Sequence, residues 1–190
     1  MKPVLVLTSF LLGSGFLVFN TTSSSFHGEI KKVSKRFNAT EGPAGNISII
    51  IDKSDYELSV YDDKGWYATY PVVFGNNSLD DKKIAGDKKT PEGSFRITNK
   101  RVHDKWYRYL GIDYPTQESW DKFRKRKERG EIPENASIGG GIGIHGTYPH
   151  EDFVIDKYKN WTLGCISMKR DDVEEVYGYT PIGTRVTIRK

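Results

Sequence analysis

A mainly β domain carrying two helices is what this chain of 190 residues predicts, and three observations lead there. Short β-branched and aromatic runs recur between tight turn signals from Ile47 onward. Only two stretches, Thr116 to Arg129 and Asp171 to Tyr177, have helical character. The chain closes on Arg185 to Arg189, where Val186 and Ile188 alternate with polar neighbours as in a half-buried strand.

The elements follow in order. Met1 to Ser25 has a charged start, an apolar run from Val4 to Phe19 and a polar Ser/Thr-rich exit, the layout of a signal peptide or membrane anchor. That run is shorter than the ~20 residues usual for spanning a bilayer, and no A-x-A site follows it. Residues 26–45 are polar, basic and end in Gly42, Pro43 and Gly45, which reads as a linker. The domain, 46–190, begins with three strands, Ile47–Ile51, Tyr56–Tyr61 and Trp66–Phe74, separated by turns at 52–55 and 62–65. Such spacing predicts an antiparallel meander. A Gly-containing loop, 75–89, leads to Thr90-Pro91-Glu92-Gly93, where proline presets φ before a strand at Ser94–Thr98.

An insertion-like region follows, 103–132. Trp106–Tyr114 could form another strand, and Thr116 and Gly130 supply the expected cap residues of the first helix. Because its aromatics and basic helix immediately precede the histidine strand, this region is expected to act as a lid. The glycines at 139, 140, 141 and 143 point to close backbone approach around that strand.

Composition narrows the function classes. Hydrophobic residues make up 36% and aromatics 13%, enough for one sizeable core. The net charge of +4 is partly concentrated in Lys122–Arg129, so no general nucleic-acid-binding surface is expected. There is no metal-ligand pattern, and the glycine-rich stretch matches neither phosphate-loop spacing. A single cysteine permits no intramolecular disulfide.

That cysteine, Cys165, follows Gly164, and His145 lies twenty residues upstream at the end of a short apolar run. A thiol with an ordinary pKa near ~8.5 is mostly protonated at neutral pH, and a neighbouring imidazole can take the proton and hold an ion pair. Gly164 leaves room for substrate and frees backbone N–H groups to face an oxyanion. The competing reading is that Cys165 is a small buried hydrophobe.

Four motifs in order carry a family resemblance: Gly86…Thr90-Pro91-x-Gly93-x-Phe95, Ile144-His145-Gly146-Thr147, Thr162-Leu163-Gly164-Cys165-Ile166-Ser167-Met168, and Pro181-x-Gly183-Thr184-x-Val186. From about Asn46 to Ile188 the sequence resembles the YkuD-type L,D-transpeptidases, bacterial cell-wall enzymes with a β-sandwich-like catalytic fold. The resemblance implies a Cys165 nucleophile that attacks tetrapeptide stems of peptidoglycan, usually at the L-centre of meso-diaminopimelate, releasing D-alanine. It implies His145 as base and then proton donor, with its ring held by the Gly146 carbonyl. Backbone N–H groups at Gly164 and Cys165 would hold the oxyanion, while Thr147, Thr162 and Ser167 would be substrate-binding. The acceptor would be an amine of a neighbouring stem, giving a 3→3 crosslink, or a lysine of an envelope lipoprotein. Neither metal nor organic cofactor is implied, and the place of action would be the cell envelope.

Three departures keep alternatives open. Leu163 stands where many relatives carry His or Lys, and Ser167 where others carry Arg or Asn. The His–Cys spacing and the insertion are more similar to a subgroup that includes lipoprotein-releasing hydrolases. Hydrolysis of the same bond is therefore one alternative, and a non-catalytic wall-binding domain with an inert Cys165 is another.

Overall fold

The computed structural model describes residues 42–190; the expected signal or anchor segment, 1–25, and residues 26–41 of the expected linker lie outside them. The chain is tied down at Ala44, whose N–H donates to Asp62 Oδ2 at 2.8 Å and whose carbonyl accepts from Asp63 N–H at 3.1 Å.

The expected meander forms: β1 (Ser48–Asp52), β2 (Glu57–Asp62) and β3 (Gly65–Pro71) pair antiparallel. Next come β4 (Gly93–His103), β5 (Tyr107–Ile112) and the helix α1 (Gln117–Glu128). After them lie β6 (Gly143–Gly146), a short helix α2 (Phe153–Asp156), β7 (Ile166–Met168), α3 (Arg170–Tyr179) and β8 (Arg185–Arg189). The strands form a single sheet in the order β3-β2-β1-β8-β4-β5-β6-β7, with parallel pairs at β1–β8 and β6–β7.

Strand β4 makes this one sheet of two halves. Gly93–Arg96 pair with β8 and Ile97–His103 with β5, and an irregularity between Ile97 and Asn99 lies just past the changeover. A bulge bends a strand and increases its twist, so the halves can curl over a shared core. The outer strands then meet. Val73, just beyond β3, exchanges two backbone hydrogen bonds of 2.8 Å with Ser167 of β7. That closure is why the third strand ends earlier than its apolar run predicts: Val73 and Phe74 leave β2 and turn to β7 and the 162 turn.

The core takes alternate residues from both halves, including Ile49, Ile51, Leu58, Val60, Phe95, Ile97, Leu110, Ile144, Ile166, Val186 and Ile188, all buried. At ~25 cal/mol per Å² of apolar surface this burial is the main stabilising term. A fully buried Lys53 ties the β1–β2 turn to the Thr90-Pro91 segment through an ion pair to Glu92 at 2.6 Å. Thr90 adds a second tie by accepting from Gly75 N–H at 3.2 Å.

The insertion divides into two parts. Helix α1, capped by Thr116 as expected, buries Phe123 and reaches the 81–92 loop, where Arg126 donates to Lys82 O at 2.8 Å and pairs with Asp81 at 2.6 Å. This helix braces a loop. The β4–β5 hairpin, in contrast, brings Trp106 onto the histidine strand, its carbonyl accepting from Gly146 N–H at 3.0 Å. Among the described residues no helix is long and apolar enough to cross a membrane.

Candidate active site

Parallel pairing of β6 with β7 sets the geometry. Ile144 lies opposite Ile166 and His145 opposite Ser167, so continuation of the register puts Cys165 opposite Gly143. His145 and Cys165 therefore share one face as diagonal neighbours on adjacent strands, within reach of a ring-bearing side chain. Ile144 and Ile166 point the other way, into the core. The period of two thus separates packing residues from chemical ones.

The turn before Cys165 is held by its own threonine. Thr162 Oγ1 accepts from Gly164 N–H at 3.1 Å and donates to the Cys165 carbonyl at 2.7 Å. The turn is also bonded to the 73–76 segment, through Thr162 N–H to Phe74 O at 3.2 Å and Asn76 N–H to Thr162 O at 3.0 Å. Gly164 has φ +134°, and a Cβ there would stand 2.8 Å from the Lys89 carbonyl. No L side chain fits that combination well. Leu163 next to it is 73% exposed.

His145 is 1% exposed and enclosed by rings. Trp106 stacks on the imidazole at 4.5 Å, Tyr109 lies parallel at 6.4 Å, and Trp161 meets it edge-on at 5.7 Å. His103 stacks on the far side of Trp106 at 4.3 Å. Burial holds the His145 pKa down to about 4 despite the hydrogen bond to Gly146, with His103 a smaller contribution in the same direction. The imidazole is thus neutral at pH 7. Nδ1 lies 2.8 Å from the Gly146 carbonyl. A carbonyl can only accept, so Nδ1 carries the proton and Nε2 is left with a lone pair.

Cys165 is half-buried and its Sγ donates to the Gly141 carbonyl at 3.6 Å. Burial pushes the thiol pKa up, against smaller lowering contributions from the Gly143 backbone and Lys82. The resting pair is therefore a thiol beside a neutral imidazole, and not the ion pair that composition alone allows. Tyr109 completes the group. Its hydroxyl donates to the same Gly141 carbonyl at 3.2 Å, and its pKa is pushed up to about 12 by burial and by the neighbouring Cys165. The ring passes over Gly143, where a Cβ would stand 2.6 Å from Tyr109 Cζ. Close approach of a side chain is the reason for glycine at this point.

The structure brings Cys165, His145, Gly146, Gly164 and Thr162 together. Thr147 and Ser167, expected to touch substrate, are both completely buried. The Thr147 hydroxyl donates to Asp152, which also accepts from Arg170 N–H at 3.2 Å at the start of α3. The Thr162 hydroxyl is committed within its own turn. Ser167 Oγ is buried without a hydrogen-bond partner, as are the indole N–H groups of Trp106 and Trp161 beside the imidazole. Sequence reasoning missed Trp106, Tyr109, Trp161 and Asp152. The one readable signal was the density of aromatic residues before the histidine strand. Among the described residues no His/Cys/Asp/Glu group could hold a metal ion.

Fold and site together define a β-rich domain that presents a thiol and an oriented imidazole on neighbouring parallel strands. The profile of the YkuD family, described as the L,D-transpeptidase catalytic domain, matches residues 46–188, and the chain belongs to that family. It is 31% identical over 149 residues to the Bacillus subtilis (strain 168) protein named "Putative L,D-transpeptidase YqjB", spanning 76% of this chain and 72% of that one. In fold it is similar to the helical cell shape determining protein Pgp2 from Campylobacter jejuni, with TM-score 0.55 and 24% identity over 76% of this chain. It is also similar to an L,D-transpeptidase from Mycobacterium smegmatis, with TM-score 0.52 and 14% identity over 77% of this chain. The chain spans 48% and 60% of the lengths of those two solved structures.

Proposed function

We propose that this protein is a peptidoglycan L,D-transpeptidase of the cell envelope that works through a Cys165 thioester. The observation that carries the reading is the His145–Cys165 diagonal, with Nδ1 fixed on the Gly146 carbonyl and Nε2 left as the base. Family membership supports peptidoglycan stem peptides as the substrate class, and the tetrapeptide stem is this reading's choice of donor.

The chemistry follows from the resting protonation states. Because both groups are neutral at pH 7, the proton leaves Sγ for Nε2 as sulfur attacks the carbonyl of the diamino acid's L-centre. The developing oxyanion falls to the Cys165 backbone N–H; the Gly164 N–H donates to Thr162 Oγ1 at 3.1 Å and joins it only by giving up that bond. His145 then gives its proton to the leaving amine, the C–N bond breaks, and D-alanine departs. An acceptor amine attacks the thioester, passing its proton to Nε2 as the new amide forms. That proton returns to sulfur. The Gly146 carbonyl stabilises the transient imidazolium, and the Trp106 face keeps its ring in plane. The envelope location rests on the substrate class and on the signal-like pattern of residues 1–25.

Product analysis tests the reading. Purified protein given a defined tetrapeptide muropeptide should yield a crosslinked dimer that has lost one D-alanine, resolved by mass spectrometry. Tripeptide alone, with water incorporated and no dimer at any acceptor concentration, would replace transpeptidation by hydrolysis.

A further inference from the structure

The strand register places four side chains in one row across one face of the sheet. Arg101 of β4 pairs with Tyr109 of β5, Tyr109 with His145 of β6, and His145 with Ser167 of β7. Directly paired residues project to the same side, so an arginine stands on the face that bears the thiol. Its guanidinium lies over the Tyr109 ring at 4.7 Å, and that ring is parallel to the imidazole at 6.4 Å. Tyr109 also lies in the electrostatic field of both Arg101 and Cys165.

Three other cations near the site have carboxylate partners, and Arg170 donates to the Thr147 carbonyl at 3.2 Å. Lys82 pairs with Asp87 at 2.7 Å, Lys89 with Asp80 at 3.3 Å, and Arg108 with Glu174 at 2.5 Å. Arg101 is exposed and, among the described residues, is seated on the Tyr109 ring with no carboxylate partner. At the opposite end of the row Ser167 is sealed from solvent and offers no charge. A guanidinium fixed by stacking, and with its N–H edge free, is suited to bidentate capture of a planar anion.

We propose that Arg101 is a specificity-determining residue that binds a free carboxylate on the side chain of the diamino acid whose carbonyl Cys165 attacks. The inference rests on the transpeptidase reading above. In such a donor the distal carboxylate is six C–C bonds from the scissile carbonyl, an extended reach of roughly 7–8 Å. Arg101 stands two row-steps beyond the imidazole, and its long side chain, lying over the Tyr109 ring at 4.7 Å, covers the remaining distance. Stacking on Tyr109 holds the guanidinium before substrate arrives, which lowers the ordering cost of the contact. A donor whose distal carboxylate is a carboxamide would lose the charge and one acceptor oxygen, leaving the arginine without its partner.

The test compares two tetrapeptide muropeptides, one with a free distal carboxylate and one with a carboxamide there, on the wild-type chain and on Arg101→Ala. Wild type should favour the free acid in kcat/KM by roughly tenfold to a hundredfold, the scale of one charge-assisted bidentate pair. In Arg101→Ala the ratio should fall toward one, chiefly through loss on the free acid. Arg101→Lys should recover only part of it, because an ammonium cannot make the planar two-point contact. Equal turnover of both donors by wild type, or an undiminished ratio in Arg101→Ala, would overturn this inference and leave the transpeptidase reading standing. Wild type that converts neither donor would overturn both.

Discussion

Replacing Cys165 by alanine is expected to lower crosslink formation by on the order of 10⁴-fold or more, the scale seen when a covalent nucleophile is removed. It should also abolish the thioester formed with a carbapenem. The fold should survive. Cys165 is only half-buried, its contact to Gly141 is long, and the turn around it is held by Thr162 and the 73–76 backbone. An alanine variant that unfolds at the wild-type urea concentration but makes no product therefore identifies a chemical loss. Undiminished crosslinking in this variant would remove Cys165 from the mechanism.

His145→Asn should cost roughly 10² to 10⁴ in rate, the range for a positioned general base, and it should change how stability responds to pH. With a folded pKa of about 4, against an ordinary value of 6.5, neutral His145 is favoured by folding. Its contribution is fully present above pH 6.5 and is lost as pH falls toward 4, because the unfolded chain binds the proton first. The difference of about 2.5 pH units corresponds to about 3 kcal/mol. Urea titrations of both proteins at pH 7 and pH 4 check this. The wild-type advantage over His145→Asn should shrink by about that amount at the lower pH. An advantage independent of pH would show that the imidazole is not held neutral by burial. The same depression predicts that the acid limb of kcat/KM lies below the ordinary imidazole range.

What could be read from the sequence was what depends on local periodicity. Leu58 and Val60, both buried, alternate with half-buried neighbours, and β2 follows. Thr116 and Gly130 bracket α1, with Gly130 at φ +67° just past the C-cap. The Cys165–His145 pair was legible because glycines and a short apolar run mark both strands. Less legible was β4, expected to end at Thr98 but continuing to His103. After Arg96 it leaves β8 for β5, and Thr98, Asn99, Arg101 and Val102 are exposed, so no burial pattern marks the extension. Helix α2 is a single turn without a side-chain cap and leaves no periodic signal. The rings around His145 were hidden for another reason. Trp106 reaches it through a hairpin, and Trp161 from the loop that leads into the 162 turn, contacts that only the closed sheet creates. Substrate roles for Thr147 and Ser167 came from motif position; burial depends on how α3 and the 73–76 segment cover those positions, which a motif does not record.

The central claim is that Cys165 carries the acyl group. Mixing the protein with a tetrapeptide donor, quenching rapidly in acid and weighing the intact chain tests it most directly. The account predicts a mass increase equal to the donor less D-alanine, located on the peptide containing Cys165 and discharged by hydroxylamine as a thioester would be. Donor consumption with the chain at its unmodified mass at every quench time, or an adduct located on another residue, would contradict it.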